Sequence, residues 1–121
     1  MPKRILVIDD DPDLLEILNI VFKQEGYEVI LSETGEEAEN IRDINPDLVM
    51  LDIMLTGSGK NGVDICAKIK SQPETNDIPV ILFSAEDNIE ELSKKCGANA
   101  YFSKPFHYYE LLKKVNKLLA A

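Results

Sequence analysis

The sequence predicts an α/β fold in which strands and helices alternate along a chain of 121 residues. Short runs of consecutive apolar residues recur along the chain, as expected for strands of a parallel sheet that is covered on both faces. Between and after these runs, apolar residues recur at the spacing of amphipathic helices. A chain of this length can bury a core without disulfide or metal cross-links, so we expect residues 1–121 to form a single domain.

Five apolar runs define the predicted strands, at 4–8, 27–31, 47–51, 79–83 and 100–103. The predicted helices lie at 12–25, 35–44, 62–71, 87–96 and 107–120. In the first helix Leu14, Leu18 and Phe22 share one face, and Gly26 follows as a stop signal. The later helices repeat this spacing with Ala38, Ile41 and Ile44, with Ile65, Cys66 and Ile69, with Ile89, Leu92 and Cys96, and with Leu111, Val115 and Leu118. With right-handed crossovers, the alternation predicts a flavodoxin-like (βα)5 three-layer sandwich, whose five-stranded parallel sheet has the order 2-1-3-4-5.

Composition and charge argue against several classes of function. The formal net charge is −9, so we expect no nucleic-acid binding by this domain, because such binding needs clustered Lys and Arg. No apolar stretch reaches the length of a membrane span, and the amino-terminal residues do not form a signal peptide. We therefore expect a cytoplasmic protein with no membrane partner. Cys66 and Cys96 lie in apolar helical patterns and are expected to be buried structural thiols.

Acidic side chains follow the first and third predicted strands. Asp9, Asp10 and Asp11 come directly after the first apolar run, and Asp52 comes after the third. Asp11 precedes Pro12 and is predicted to cap the next helix. Because the first and third strands are neighbours in the predicted order, Asp9, Asp10 and Asp52 should converge at one edge of the sheet. Three carboxylates repel one another, a bound divalent cation relieves the repulsion, and oxygen-only ligands with retained water favour Mg²⁺.

A hydroxyl and a lysine, Ser84 and Lys104, end the fourth and fifth apolar runs. Considered alone, Ser84 would be the cap of the helix after it and Lys104 a surface lysine. Beside three carboxylates, however, a lysine can hold a phosphate and a hydroxyl can donate to a phosphoryl oxygen. Asp52 is then placed to attack phosphorus and become an aspartyl phosphate. Pro105 restricts the backbone after Lys104 and can follow a cis bond.

Four short motifs stand at the ends of the strands. They read Ile8-Asp9-Asp10-Asp11-Pro12, Leu51-Asp52-Ile53-Met54, Ser84-Ala85 and Lys104-Pro105-Phe106. Any one of them is a weak signal. Together, in this order and over essentially the whole chain, they closely resemble the receiver domain of two-component response regulators.

The resemblance implies a role for each residue of the acidic cluster. Asp52 would be the phosphoacceptor. Asp10 resembles the direct metal ligand of the family, and Asp9 the acid that binds the metal through water. The backbone carbonyl of Met54 would complete the protein's share of the Mg²⁺ shell.

The resemblance also implies a phosphorylation-switched signalling module of a phosphorelay, with no enzyme activity beyond slow self-dephosphorylation. A histidine kinase or histidine phosphotransfer protein would supply the phosphoryl group. Ser84 resembles the switch hydroxyl, Ala85 its small neighbour, and Tyr101 the aromatic residue that changes rotamer on activation. These movements would alter the face made by the fourth helix, fifth strand and fifth helix. That face would act on a downstream protein target or a fused output domain.

Two segments depart from the family's pattern. Residues 55–62 read LTGSGKNG, which lacks the usual proline and is longer than is typical; its three glycines predict a mobile loop. The Gly59-Lys60 pair in this loop does not have the spacing of a phosphate-binding P-loop. The stretch between Ser84 and Lys104 is shorter than is typical.

Three other functions fit the sequence less well. A degenerate receiver that acts only as a protein-interaction module would not need Asp10, Asp52, Ser84 and Lys104 together. An aspartyl-nucleophile phosphohydrolase usually carries a second acid two residues after the nucleophile, where this chain has Met54. A flavin-binding electron carrier would need a phosphate-cradling loop after the first strand, where the aspartates would repel phosphate. The single histidine, His107, is expected to be an exposed residue at a helix start.

Overall fold

A single parallel sheet organises the chain, as seen in a computed structural model that describes residues 2–34, 40–55, 60–85 and 87–120. Its strands are β1 (Arg4–Ile8), β2 (Glu28–Ser32), β3 (Leu48–Asp52), β4 (Val80–Ser84) and β5 (Ala100–Ser103). Their order in the sheet is β2-β1-β3-β4-β5, and every neighbouring pair is parallel. The predicted flavodoxin-like order 2-1-3-4-5 is therefore confirmed.

The helices are α1 (Pro12–Gln24), α2 (Ile41–Ile44), α3 (Gly62–Ser71), α4 (Ile89–Cys96) and α5 (Tyr108–Leu119). Asp11 caps α1 as predicted, because its side chain accepts a hydrogen bond of 3.0 Å from the backbone N–H of Asp13. Asn61 caps α3 in the same way, with Val63 as the donor at 2.7 Å. The second helix was predicted at 35–44, and residues 35–39 of that range lie outside the described residues.

The sheet separates two hydrophobic layers, because successive strand residues point to opposite faces. Leu6 and Leu51 belong to the layer covered by α2, α3 and α4. Ile5 and Met50 belong to the layer covered by α1 and α5. Both faces of the sheet are thus buried, which is why its strands consist of nearly uninterrupted apolar residues.

Three strands run one residue further than their apolar runs predicted. β2, β3 and β4 end at Ser32, Asp52 and Ser84. The last residue of each strand is polar, so the ladder itself holds Asp52 and Ser84 in position. Asp52 pairs with Phe83, the residue before Ser84.

A short antiparallel ladder follows β3, in which Met54–Leu55 pairs with Lys60–Asn61. The sequence did not indicate this ladder. Residues 56–59 of the predicted mobile loop lie outside the described residues. Every helix in the described part of the chain is too short or too polar to cross a lipid bilayer.

Candidate functional site

The carboxyl ends of β1 and β3 bring three aspartates together, as predicted. One carboxylate oxygen each from Asp9, Asp10 and Asp52 lies within 4.8 Å of the others. This follows from the register, in which Ile8 at the end of β1 pairs with Leu51 on β3. Asp9 is fully buried and Asp52 is 5% exposed, whereas Asp10 is half-buried. The cluster therefore has its greatest access to solvent on the Asp10 side.

Asp9 is held by contacts on both of its carboxylate oxygens. Its Oδ1 accepts a hydrogen bond of 2.8 Å from the backbone N–H of Asp11, and its Oδ2 accepts one of 2.9 Å from Nζ of Lys104. Its own backbone N–H donates to the carbonyl oxygen of Ser32, at 3.0 Å. Burial raises the pKa of Asp9, and the contact with Lys104 partly opposes that rise. The half-buried Lys104 thus helps to hold in place an acid that is itself part of the cluster.

Lys104 lies between two of the three carboxylates. Its Nζ is 2.9 Å from Oδ2 of Asp9 and 3.5 Å from Oδ2 of Asp52. The same ammonium group lies 5.0 Å from the centroid of the Phe83 ring, a cation–π distance. Burial alone would lower the pKa of Lys104, but the carboxylates of Asp9 and Asp52 outweigh it and raise that pKa above its ordinary value. Lys104 is therefore a cation at neutral pH.

Ser84 and Lys104 are joined through the backbone, since the N–H of Lys104 donates to the carbonyl oxygen of Ser84 at 2.9 Å. Ser84 is buried, with 2% of its surface exposed. The reading of Ser84 as the cap of the following helix is wrong, because α4 begins only at Ile89, after Asn88. Tyr101 pairs with Leu82 on β4, and 40% of its surface is exposed. The peptide bond between Lys104 and Pro105 is cis.

Gly62 packs directly against the backbone of Asp52, a contact that the sequence did not single out. A Cβ atom at Gly62 would lie 2.1 Å from the carbonyl oxygen of Asp52, far inside van der Waals contact. Its N–H donates to the carbonyl oxygen of Ile53 at 2.8 Å. Only glycine fits here, so helix α3 begins directly against the backbone of Asp52, the last residue of β3. The glycine-rich sequence predicted a loop, but it did not indicate which glycine approaches the site.

The sequence also singled out Met54, His107, Cys66 and Cys96. The backbone of Met54 pairs with Asn61 in the short ladder, two residues beyond Asp52. His107 is exposed and immediately precedes α5, with no hydrogen bond from its side chain to the helix. Cys66 and Cys96 are both buried and reduced.

The acidic cluster fits a hard divalent cation. Its three converging carboxylates offer only oxygen ligands, and they come from residues that the fold holds close despite their mutual repulsion. Lys104 offsets part of the negative charge, and the half-buried Asp10 leaves room for retained water. Mg²⁺ prefers a site with few protein ligands, in which it keeps several of its bound waters.

A groove of about 480 Å³ opens beside Lys104, between the start of α1 and the start of α5. Its apolar wall is made by Leu14, Ile17, Pro105, Phe106 and Tyr108. The acidic side chains of Asp11 and Asp13 border the groove where it approaches the carboxylate cluster. We call this feature the α1–α5 groove.

Comparison with known proteins gives a consistent result. The family profile of the response regulator receiver domain matches residues 5–116. The DNA-binding response regulator MtrA of Mycolicibacterium smegmatis is 37% identical over 122 aligned positions, which cover 98% of this chain and 51% of that protein. The chain thus spans about half the length of the curated relatives that it matches.

Solved structures agree with the sequence match. A putative response regulator from Chloroflexus aurantiacus superposes with a TM-score of 0.91 at 31% identity, covering 100% of both chains. The response regulator protein TrrA from Thermotoga maritima, solved in complex with Mg²⁺ and BeF, has a TM-score of 0.84 at 39% identity, covering 97% of this chain and 99% of that one.

Proposed function

Because this chain belongs to the response regulator receiver domains, we propose that Asp52 accepts the phosphoryl group. Receiver domains are phosphorylation-switched signalling modules of two-component systems and are not classical enzymes. The single observation that carries the proposal is the position of Asp52: it ends β3 beside two carboxylates, with the ammonium group of Lys104 at 3.5 Å. We further propose that residues 1–121 form one domain of this kind.

The chemistry assigned to Asp52 is nucleophilic attack on phosphorus. A carboxylate oxygen of Asp52 forms the new P–O bond, and the donor's bond to phosphorus breaks. Phosphoryl transfer depends mainly on positioning and on neutralising charge at the phosphoryl oxygens. Lys104 supplies a fixed positive charge next to Asp52, and Ser84 follows the strand partner of Asp52 by one residue. Slow self-dephosphorylation, by water attacking the same phosphorus, belongs to this proposal.

Asp9, Asp10, Asp52 and the backbone carbonyl of Met54 are the groups that we propose hold Mg²⁺. The ion would supply positive charge to the phosphoryl oxygens and lower the repulsion between an incoming phosphate and the carboxylates. Within this set, Asp9 acts from a buried position in which Lys104 and the N–H of Asp11 already fix its two oxygens. The half-buried Asp10 is therefore the carboxylate best placed for direct coordination.

The proposed switch passes from Ser84 to Tyr101. Ser84 donates to a phosphoryl oxygen on Asp52 and moves towards it. Tyr101 lies on the neighbouring strand β5, where the residue is 40% exposed, and in this proposal its ring turns inward as Ser84 moves. The face made by α4, β5 and α5 then changes its preference for a downstream protein target or a fused output domain.

The α1–α5 groove suits a phosphodonor that presents histidine on a helix. The apolar wall of the groove leads to Lys104, beside the carboxylate cluster. A helix lying in the groove would therefore reach Asp52 from the solvent side. Asp11 and Asp13 at its border favour a partner helix with lysine or arginine nearby. The donor in this proposal is a histidine kinase or histidine phosphotransfer protein.

The decisive experiment is phosphorylation of the purified chain by acetyl phosphate in the presence of Mg²⁺, read by intact mass. We expect one added phosphoryl group, which requires Mg²⁺ and disappears in Asp52→Asn. Asp64→Asn is the matched control, because Asp64 is an exposed acid in the first turn of α3. The proposal fails if no adduct forms, or if the adduct survives Asp52→Asn; the first result would indicate a degenerate receiver.

A further inference from the structure

Two buried cysteines from different helices lie against one another. Cys66 stands in the middle of α3 and Cys96 is the last residue of α4, 30 positions later. Sγ of Cys66 lies 3.6 Å from the backbone carbonyl oxygen of Cys96. Sγ of Cys96 lies 3.6 Å from the carbonyl oxygen of Ser93, one turn earlier in its own helix. Thus the sulfur of Cys66 already touches the backbone of the other cysteine.

The two thiols share an apolar layer that excludes water. Cys66 is fully buried and Cys96 is 5% exposed, both in the layer that covers one face of the sheet. Burial raises the pKa of the Cys66 thiol, and the neighbouring Cys96 thiol adds to that effect. Cys66 is therefore protonated at neutral pH and is slow to react on its own. Cys96, at the end of its helix and nearer to solvent, is the first of the two that an oxidant reaches.

Both helices lead to the phosphorylation site that we propose. Helix α3 begins at Gly62, whose Cα packs against the carbonyl of Asp52. Helix α4 follows the strand that ends in Ser84. At their other ends the helices are in contact, since a Cβ atom on Gly97 would lie 3.6 Å from Cγ of Lys70. A covalent link between α3 and α4 would thus restrain the helix that follows Ser84, which belongs to the face altered by the proposed switch.

We propose that Cys66 and Cys96 are a redox modification site, at which peroxide forms an intramolecular disulfide that cross-links α3 to α4. The sulfur of Cys96 attacks the O–O bond of hydrogen peroxide, giving a sulfenic acid and releasing one water. The sulfur of Cys66 then attacks the sulfenic sulfur, so that the S–S bond forms and a second water leaves. Both electrons pass from the thiols to the peroxide. The effect of the cross-link on signalling rests on the proposed function, whereas its formation does not.

In the experiment, the folded chain is treated with hydrogen peroxide and then unfolded in guanidinium. Iodoacetamide alkylates the thiols that remain free, and the intact mass is measured. We expect a monomer that has lost the hydrogens of both thiols and takes up no iodoacetamide, and that recovers both alkylation sites after reduction. Cys96→Ala and Cys66→Ala should each abolish the cross-link; Ser71→Ala, an exposed hydroxyl on α3, should leave it intact. Because either cysteine variant can lose stability, circular dichroism must first show that it is folded.

Three results would overturn the proposal. In the first, both thiols of the folded chain still react with iodoacetamide at peroxide concentrations that cross-link the unfolded chain. In the second, the chain gains oxygen but does not lose alkylation at both sulfurs. In the third, the product is a disulfide-linked dimer. Amide hydrogen exchange provides a second readout that does not depend on phosphorylation. Exchange in α4 should slow severalfold in the cross-linked chain, and unchanged exchange would refute the restraint. A chain that cross-links but takes no phosphate from acetyl phosphate would contradict only the function proposed for Asp52.

Discussion

Lys104 and Asp9 form a close ion pair at the edge of the sheet, with Nζ 2.9 Å from Oδ2 and the carboxylate fully buried. The contact of the same ammonium group with Asp52 is longer, at 3.5 Å. Before phosphorylation, Lys104 therefore serves mainly to stabilise the buried Asp9. A phosphoryl group on Asp52 would compete for that ammonium group, and this competition gives Lys104 two measurable roles.

Lys104→Met should lower both stability and phosphorylation. Removing the cation leaves the buried carboxylate of Asp9 without its strongest partner, which costs about 1–3 kcal/mol of unfolding free energy. Urea denaturation measures this loss, and acetyl phosphate labelling measures the slower phosphorylation. Lys94→Met is the control, because Lys94 is exposed and its ion pair with Glu90 lies on the surface of α4. An equal loss of stability in both variants would contradict the role assigned to Lys104.

Gly62→Ala should be unusually disruptive for the addition of one methyl group. The new Cβ would lie 2.1 Å from the carbonyl oxygen of Asp52, so the start of α3 or the end of β3 must shift. We expect a loss of about 3 kcal/mol or more in unfolding free energy, together with slower phosphorylation by acetyl phosphate. Gly26→Ala is the matched control: its φ is +87° but its Cβ would meet open space, and we expect it to cost about 1 kcal/mol without affecting phosphorylation.

Mg²⁺ should stabilise the fold through the acidic cluster. At a concentration about 100 times its Kd, the ion would add about 2.7 kcal/mol to the unfolding free energy, and EDTA would remove it. Thermal unfolding with and without Mg²⁺ measures the effect as a rise in Tm. Asp10→Asn should reduce that rise, whereas Asp13→Asn, on the exposed first turn of α1, should preserve it. A parent chain whose Tm does not respond to Mg²⁺ would count against the metal site.

Ile17→Ser should separate donor docking from chemistry. Ile17 lines the α1–α5 groove, so the variant should take phosphate about tenfold more slowly from a histidine-bearing donor protein. Acetyl phosphate needs no docking surface, and its rate should not change. Ile20→Ser is the control, because Ile20 is similarly exposed on α1 but does not line the groove. A similar loss in both variants would show that the groove is not the donor surface.

Most of the sheet and the acidic cluster could be predicted from the sequence. Apolar runs that end in carboxylates fix which residues stand at the strand ends, and the parallel order then brings Asp9 and Asp52 together. The partner of Lys104 could not be predicted, because it depends on how a flexible side chain crosses the site. The approach of Gly62 to Asp52 and the meeting of Cys66 with Cys96 depend on how α3 docks on its neighbours, which residue spacing does not encode.

The division of the core into two layers has a consequence for how partners share this molecule. The α1–α5 groove lies on the side of α1 and α5, whereas α3, α4 and the cysteine pair cover the opposite face of the sheet. A donor seated in the groove would leave α4 uncovered but would lie against the start of α5, because Tyr108 lines the groove, so donor and target would share only the α5 part of the proposed output face. The cross-link proposed between Cys66 and Cys96 would restrain the α4 part of that face and leave the groove open. Phosphate could then still be transferred to a protein whose α4 contacts with a target are restrained.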